Sequence, residues 1–463
     1  MEDLFAEYNE ALLPEYKGNP LIECLPMYED ADLIKLWRSK PLHEEGERQQ
    51  SVRYRRQCIS RLGTSFRYPL PSYLDFYCRI EEALLENYGA KNPLLPSTNH
   101  FLHNLDYKNS LIKPRGDFKP RGKVITLLGH SGVGKTTMLE NVLAPFKQVY
   151  LHNKYEDSDL QGMKQITHIT VECPGSGSTK SLCRSILKQI NRVSEVPEIN
   201  QPSYSRKSRE ELQDIVEMRV RSNFIGIIVI DEIQNLNNTK EGKEQLHSFI
   251  LQLVNESGVV FVFSGNHDAE PLLTSTHRNA RRGESGGIVK MTPFTKRQWE
   301  SFLKVMWKYQ WTSKHTELTQ KIVDHFYKLT GGFVDHSVRM FQQAQKLAIS
   351  SDSEEITCQV LTEAFKIECE LSKDWIAQGQ FTEESFPSDE IENKPIAKTE
   401  RAFVEVMDYI HPELLKQSKK AKQENLDANK LRRLTKLDPK STNFDDELNE
   451  TGLLISHQSL AGI

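Results

Sequence analysis

The sequence predicts an α/β protein built on a P-loop core, with a parallel sheet between two layers of helices. Three observations support this class. An apolar run that starts at Val124 enters a glycine-rich loop, which leads into a helical pattern. A second apolar run ends in two acids, Asp231 and Glu232. Helical and strand-like segments alternate around both runs, and this alternation favours a three-layer parallel sheet.

Bulk composition indicates what type of protein this is and where in the cell we expect it. The chain has 463 residues, a formal charge of −4, 38% hydrophobic and 27% charged residues. No run approaches the roughly 18 apolar residues of a membrane helix, and the acidic start, "MEDLFAEYNEALLPEY", is unlike a signal peptide. We therefore expect a cytoplasmic protein with no membrane partner. The 7 cysteines form no C-x-x-C pair, so we expect reduced, structural thiols. A net charge near zero still permits a local nucleic-acid surface.

The glycine-rich loop is the strongest chemical signal. It is a complete G-x-x-x-x-G-K-T between a predicted strand and a predicted helix, the context that makes the pattern a P-loop. Glycines let backbone N–H groups approach phosphate oxygens, and the helix N-terminus adds a partial positive charge. We therefore predict ATP and Mg²⁺ as cofactors. The predicted nucleotide-binding residues of the loop are Gly129, Ser131, Gly132, Val133, Gly134, Lys135, Thr136 and Thr137.

Individual roles follow from P-loop chemistry. Lys135 is expected to reach the β- and γ-phosphates, and the Thr136 hydroxyl to ligate Mg²⁺. Asp231, at the end of a buried strand, is expected to bind nucleotide and to hold Mg²⁺ through its water shell. Glu232 is expected to polarise the attacking water as a general base.

A third strand-like run starts at Gly258 and ends in polar residues. In additional-strand P-loop ATPases a polar residue at this strand end contacts the γ-phosphate and the water. Asn266 is the first candidate for this catalytic role and Ser264 is the second. A simple capping asparagine at a strand end is the alternative.

Several short motifs together resemble a known family. They are "VIDEIQNL" at the acidic strand end, the segment Gly265 to Ala269, "RNARRG" from Arg278 to Gly283, "NPLIECLP" from Asn19 to Pro26, and "GGFVDHSVRMFQQAQ". The set resembles AAA+ ATPases and, more narrowly, the TnsC/TniB-type regulators of DNA transposition. The resemblance covers roughly residues 15 to 375. One departure is "SGNHDA", where relatives commonly carry Thr-Pro after the glycine.

The resemblance implies a function beyond ATP hydrolysis. Members of this family assemble on double-stranded DNA as ATP-bound rings or filaments, and connect a target-selection adaptor of the TnsD/TniQ type to the transposase. Two alternatives stay open from the sequence. One is an initiator or loader AAA+ ATPase, and the other is a signalling or scaffold NTPase that switches with nucleotide without binding DNA.

Three arginines, Arg278, Arg281 and Arg282, follow the third strand-like run. In AAA+ proteins this part of the chain presents an arginine finger to the neighbouring subunit, and Arg281 or Arg282 is the predicted catalytic finger. Arg278 is the predicted supporting contact. A DNA contact or a solvated loop are the alternatives for these arginines. Arg339, in the predicted lid, is expected to face the γ-phosphate as a sensor or else to be a surface residue.

Lysines near the second predicted strand, Gln165 to Pro174, are the candidates for DNA contact. They are Lys154 and Lys164 before that strand and Lys180 at the start of the following helix. Duplex binding without sequence preference needs only phosphate contacts. No helix-turn-helix or zinc finger is visible, so we expect binding that does not depend on base sequence.

Composition and pattern divide the chain into four predicted parts. Residues 1–118 form an N-terminal extension, which the resemblance implies packs on the core, and 119–294 form the predicted ATPase domain. Residues 295–376 form a small helical lid. Residues 377–463 turn polar and acidic and then basic, which is typical of a flexible linker and a partner-binding tail.

Overall fold

The structure, a computed structural model, accounts for most of the first 369 residues. All of these residues fall in the first of two units, Met1–Asn393. The described residues are 4–96, 98, 122–176, 178–195, 204–238, 243–270, 285–351 and 353–369.

A parallel sheet of five strands carries the core. The described strands are β1 (Val124–Gly129), β2 (Val149–Tyr155), β3 (Ser158–Ile166), β4 (His168–Glu172), β5 (Ile227–Asp231), β6 (Val260–Gly265) and β7 (Ile288–Met291). The sheet has the order β4-β5-β6-β1-β7, and all four pairings are parallel. Strand β6 therefore lies between the strand before the P-loop and the strand with the paired acids. The predicted parallel three-layer core is confirmed.

Helices connect the strands and continue beyond the sheet. The described helices are α1 (Pro20–Glu23), α2 (Asp30–Trp37), α3 (Val52–Ile59), α4 (Arg61–Ser65), α5 (Pro71–Gly89), α6 (Lys135–Leu143), α7 (Thr179–Val193), α8 (Arg209–Ser222), α9 (Lys243–Ser257), α10 (Lys296–Met306), α11 (Gln320–Thr330), α12 (Val334–Ile349) and α13 (Cys358–Glu368). Ser178 caps α7 by accepting from Ser181 N–H, and Ser208 caps α8 in a full capping box. Both starts follow the usual preference for short polar side chains at a helix N-terminus.

The central strands β1, β5 and β6 are buried on both faces because they are almost entirely apolar, whereas the edge strands β4 and β7 alternate between buried and more exposed residues. One face packs on α7, α8 and α9 in a continuous apolar core that includes Ile228, Ile230 and Phe261. Side chains alternate along a strand, so the intervening residues face the other side. On that side, hydrogen bonds join α5 to the segment just before β5. The Asn87 amide donates to Gly226 O at 3.2 Å, and the Tyr88 hydroxyl donates to Phe224 O at 3.0 Å.

A second apolar core joins four helices, α10–α13, which we call the four-helix cluster. Its centre holds several fully buried aromatic side chains. They are Trp299, Phe302, Trp311, Phe326 and Phe341. Residues of α3 and α4 share this core, among them Ile59 and Leu62. The N-terminal segment thus contributes to two packing units, α3 and α4 to the four-helix cluster and α5 to the sheet.

One sequence expectation differs from the structure. We predicted a single second strand from Gln165 to Pro174, but its first residues end β3 and only His168–Glu172 enter the sheet as β4. Strands β2 and β3 pair with each other in an antiparallel hairpin, which the sequence reasoning missed because that stretch is polar and weakly alternating.

Within the described parts of the chain, no helix has the length and apolarity needed to cross a membrane. All seven cysteines are described and are free thiols.

Candidate functional site

The P-loop leaves the carboxyl end of β1 and becomes the first turn of α6. Gly132 and Gly134 have φ angles of +82° and +100°, a region that L-residues with a Cβ rarely adopt. Gly134 is the N-cap of α6. The first amides of a helix have no partner within the helix and carry part of its dipole. The local backbone is therefore shaped to hold an anion.

Gly129 has a packing reason to be glycine. A Cβ at this position would lie 2.7 Å from Met291 O and 3.0 Å from a methyl group of Val133. Strand β7 runs alongside β1, with Gly129 and Met291 in register. The close approach of the two backbones therefore fixes where the P-loop begins.

Lys135 is folded into the loop. Its ammonium donates to Gly129 O at 2.7 Å and to His130 O at 3.0 Å, and the residue is only 9% exposed. Burial lowers the pKa of Lys135, while the negative charges of Glu232 and Asp231 oppose that shift. A phosphate group would give this cation a charged acceptor in place of two neutral carbonyls.

Thr136 and Asp231 meet at the base of the loop. The Thr136 hydroxyl donates to Asp231 Oδ2 at 3.4 Å, although the two residues belong to different elements. Magnesium prefers oxygen ligands and keeps several waters, so one hydroxyl and one carboxylate at a helix N-terminus fit it. A cavity of about 350 Å³ reaches both residues. Both predicted metal ligands are thus accessible from one side of α6.

Glu232 has an unusual backbone. Its φ angle is +55°, the left-handed region, which is uncommon for a residue with a long side chain. Its N–H donates to Asp231 Oδ1 at 2.9 Å, and its C=O accepts from Asn235 N–H at 3.0 Å. Its carboxylate accepts from the Gln234 amide. The turn after β5 therefore fixes the direction of the predicted base.

Asn266 lies at the carboxyl end of β6, as predicted, with its side chain turned onto its own segment. Asn266 Oδ1 accepts from Asp268 N–H at 3.0 Å, and its Nδ2 donates to Asp268 Oδ2 at 2.9 Å. This arrangement caps a short 3₁₀ helix, His267–Ala269, which is the alternative that the sequence left open. Ser264 is fully buried, and its hydroxyl has no hydrogen-bond partner among the described residues.

His130, within the loop, lies beside His267, and Asp335 contacts the loop from another element. The rings of His130 and His267 lie 4.6 Å apart. Burial, with help from the charges of His267 and Lys135, lowers the pKa of His130. From the four-helix cluster, Asp335 N–H donates to Gly132 O at 3.3 Å. The loop is therefore in contact with both the end of β6 and the start of α12.

Arg339 lies one helical turn beyond Asp335. Its Nε donates to Asp335 Oδ2 at 2.8 Å, and its Nη1 donates to Glu368 O at 3.1 Å. Its guanidinium is therefore held within the four-helix cluster, with Asp335 between it and the P-loop. The predicted contact of Arg339 with a γ-phosphate stays a prediction.

The predicted DNA-binding lysines lie on three elements, the two strands of the hairpin and the helix α7. Lys154 is exposed on β2. Lys164 is on β3, and its ammonium donates to Ser194 O at 3.3 Å, at the C-terminal end of α7. Lys180 is at the other end of that helix, about 20 Å away along its axis. The three would contact an elongated ligand at separate points. Arg278, Arg281 and Arg282 lie outside the described residues.

Sequence reasoning missed two residues of this site. Gln234 was noted only as part of "DEIQNL", yet its side chain contacts both Glu232 and the backbone of Asn266. Its position two residues after the paired acids was the available signal. Asp335 carried no such signal, because its contact with Gly132 depends on how two distant parts of the chain pack.

Comparisons with known proteins agree with this geometry in part. Residues 120–273 match the family profile described as an AAA domain. No curated protein sequence matches the chain. The chain is similar to the solved structure of the Walker-type ATPase PABY2304 of Pyrococcus abyssi, with 15% identity over 55% of this chain and 69% of that chain and a TM-score of 0.38.

Two other solved structures are similar to a comparable degree. One is the Aeropyrum pernix ORC1 protein in complex with DNA, with 18% identity over 64% of this chain and 70% of that chain and a TM-score of 0.38. The other is domain III of the Thermotoga maritima replication initiation protein DnaA, with 14% identity over 59% of this chain and 93% of that chain and a TM-score of 0.33.

These TM-scores are too low to support an argument about fold or function. The assignment rests instead on the profile match, on a P-loop after β1 and paired acids after β5, and on β6 between those two strands. On these grounds the core of the chain has the AAA+ P-loop fold, and residues 120–273 are the part that matches the AAA domain profile.

Proposed function

We propose that the protein hydrolyses ATP with Mg²⁺, and that its ATP-bound form assembles on double-stranded DNA to regulate DNA transposition. One observation carries the enzymatic part. Lys135, the Thr136–Asp231 pair and Glu232 converge where β1 and β5 end. Ligands of open parallel sheets bind at the carboxyl ends of the strands.

Each group has a distinct task in the proposed reaction. Glycine-loop amides and Lys135 bind the β- and γ-phosphates and balance their charge. Thr136 and Asp231 would hold Mg²⁺, which supplies further charge neutralisation at the phosphates when bound. Glu232 orients the attacking water and accepts its proton at the carboxylate. The strained backbone of Glu232 and its bond from Gln234 keep that carboxylate aimed.

A second subunit completes the proposed site. Arg281 or Arg282 of a neighbouring copy would donate to the transferred phosphoryl group, with Arg278 in support. Such fingers raise the rate by about 10³- to 10⁵-fold. Hydrolysis would then depend on assembly into a ring or filament.

The DNA and transposition part is supported by sequence motifs. "DEIQNL", "RNARRG" and "NPLIECLP" resemble the corresponding segments of TnsC/TniB-type regulators. Lys154, Lys164 and Lys180 are the proposed phosphate contacts. Duplex DNA is extended, so contacts that lie about 20 Å apart along α7 suit it better than they suit a small ligand.

Co-sedimentation with duplex DNA tests assembly. Wild-type protein should sediment with the duplex in a non-hydrolysable ATP analogue and much less in ADP. Replacing Lys154, Lys164 and Lys180 together by alanine should weaken binding and reduce its salt dependence. Lys304→Ala, at an exposed position on α10, is the matched control and should bind as wild type does.

The outcomes separate the proposal from its alternatives. ATP hydrolysis without any DNA-bound assembly would favour a nucleotide switch. DNA-bound assembly with no transposase recruitment would favour an initiator or loader.

The proposed tail, residues 377–463, is tested separately. Truncation after Gln378 should preserve ATP hydrolysis and DNA binding, and should abolish capture of transposase and of a target-selection adaptor in pull-downs. Capture at wild-type strength by the truncated protein would contradict this role for the tail.

A further inference from the structure

The side chain of Gln234 joins two strand ends at the candidate site. Its Nε2 donates to Glu232 Oε2, and its Oε1 accepts from Asn266 N–H at 3.2 Å. Glu232 follows β5 and Asn266 follows β6, which is hydrogen-bonded to β5 across the sheet. A single amide group thus contacts the proposed base and the backbone of the neighbouring strand end.

The backbone around Gln234 is anchored on a third strand. Asn235, in the same 3₁₀ turn, donates from Nδ2 to Cys173 O at 3.0 Å, just after β4. Cys173 N–H in turn donates to Asp231 O at 2.8 Å. A left-handed residue such as Glu232 persists only where the surrounding contacts hold it. The turn is held by contacts with residues just after β4 and β6, the two strands that flank β5 in the sheet.

Gly265 leaves the space that Gln234 fills. A Cβ at this position would lie 2.8 Å from Gln234 Oε1 and 2.8 Å from a methyl group of Ile233. Gly265 has no positive φ in the described structure, so conformational freedom does not explain the glycine. The close approach of the Gln234 amide does.

We propose that Gln234 is a positioning residue for ATP hydrolysis, which orients the Glu232 carboxylate and couples it to the end of β6. This inference rests on the proposed role of Glu232 as the base. The donated hydrogen bond leaves the other carboxylate oxygen, Oε1, to accept the proton of the attacking water. The bond from Asn266 N–H fixes the amide orientation, because it selects which end of Gln234 faces Glu232.

Gln234→Met is the first test, since methionine is similar in size and lacks both polar groups. We expect kcat for ATP to fall about tenfold or more, because a hydrogen bond to a charged group is lost, while KM and ADP affinity stay within about twofold. Unchanged ADP affinity also shows that the variant is folded. Gln234→Glu keeps an acceptor for Asn266 N–H and places a second carboxylate against Glu232, so kcat should fall at least as far.

Gln252→Met is the matched control. Gln252 also donates its amide to a carboxylate, Glu256, at 3.3 Å, but within α9. Its kcat should equal that of wild type. A loss of kcat in Gln252→Met as large as in Gln234→Met would overturn the inference.

A double-variant experiment distinguishes positioning from general stabilisation. If Gln234 acts through Glu232, Gln234→Met should cause no further loss of kcat in a Glu232→Gln background. Additive losses, a wild-type kcat in Gln234→Met, or a kcat above wild type would each overturn the inference while leaving the proposed function intact. Wild-type turnover in Glu232→Gln alone would overturn both.

Discussion

A buried ion pair joins the N-terminal segment to the four-helix cluster. Arg55, on α3, donates from Nη1 to Glu354 Oε2 at 2.6 Å and from Nη2 to Oε1 at 2.9 Å. The side chains are 6% and 16% exposed. Ser313 N–H donates to the same carboxylate at 2.6 Å. We predict that Arg55→Met destabilises the four-helix cluster, because the carboxylate stays buried with no guanidinium to pair with it.

The expected destabilisation by Arg55→Met follows from the pKa of the Glu354 carboxyl group. The hydrogen bonds from Arg55, with further hydrogen bonds from Ser313 and against the effect of burial, lower the pKa of Glu354 from its ordinary 4.5 to about 2. This shift corresponds to about 3 kcal/mol, because a tenfold change in an equilibrium constant is about 1.4 kcal/mol. Breaking a buried pair typically costs about 3 to 5 kcal/mol. Because Ser313 still bonds to the carboxylate in the variant, we expect the free energy of unfolding to fall by at most about 3 kcal/mol.

The Arg55–Glu354 pair also predicts how stability depends on pH. The folded-state pKa of Glu354 lies below the unfolded value, so the contribution is complete above pH 4.5 and is lost as pH falls towards 2. Glu47 adds to this loss. Burial alone would raise its pKa, but hydrogen bonds from Trp311 and Arg61 lower it to about 2. Acid should therefore loosen this region between pH 4.5 and 2.

Urea unfolding followed by tryptophan fluorescence is the assay, since Trp299, Trp307 and Trp311 are buried in this cluster. Arg53→Met is the matched control, because Arg53 is exposed on the same helix. Equal unfolding midpoints for Arg53→Met and Arg55→Met at pH 7 would refute the reasoning.

Further predictions concern the nucleotide site. Lys135→Ala should abolish ATP binding and DNA-bound assembly, because the cation facing the β- and γ-phosphates is gone; undiminished assembly would contradict nucleotide gating. Gly129→Ala should lower ADP affinity about tenfold or more in calorimetry, since its Cβ would lie 2.7 Å from Met291 O and push the P-loop off β7; wild-type affinity would show that the strands yield. Arg281→Ala should keep ATP affinity and lose DNA-stimulated hydrolysis, and its mixture with Lys135→Ala should recover some hydrolysis. A mixture that stays inactive, although each variant assembles with wild type, would exclude Arg281 as a finger.

The fold was predictable where local pattern decides structure. The apolar run before Gly129 and the run before Asp231 form β1 and β5. Leu182, Ile186 and Ile190 recur at helical spacing in the sequence and form the buried side of α7. The P-loop itself needed no tertiary information, because glycine spacing and the helix start specify it. The polar hairpin β2–β3 was missed, since neither strand shows a clear alternation of apolar and polar residues.

Site details that depend on packing between distant segments could not be predicted. Whether Asn266 faces a phosphate or caps its own 3₁₀ helix is decided by side-chain rotation, and spacing along the sequence does not encode it. The ion pair of Arg55 with Glu354 links residues almost 300 positions apart. The contacts of Gln234 with Glu232 and Asn266 depend on β5 and β6 being adjacent in the sheet, which the sequence alone does not specify.

Single-turnover hydrolysis of bound ATP tests the central claim most directly, that Glu232 at the end of β5 activates the water. Wild type and Glu232→Gln would be loaded with ATP, assembled on duplex DNA, and quenched over time after Mg²⁺ is added. Glu232→Gln should bind ATP as tightly as wild type does and hydrolyse it at least about a hundredfold more slowly, the usual contribution of a general base. Equal hydrolysis rates at equal ATP occupancy would contradict the account, and would show that another group takes the proton.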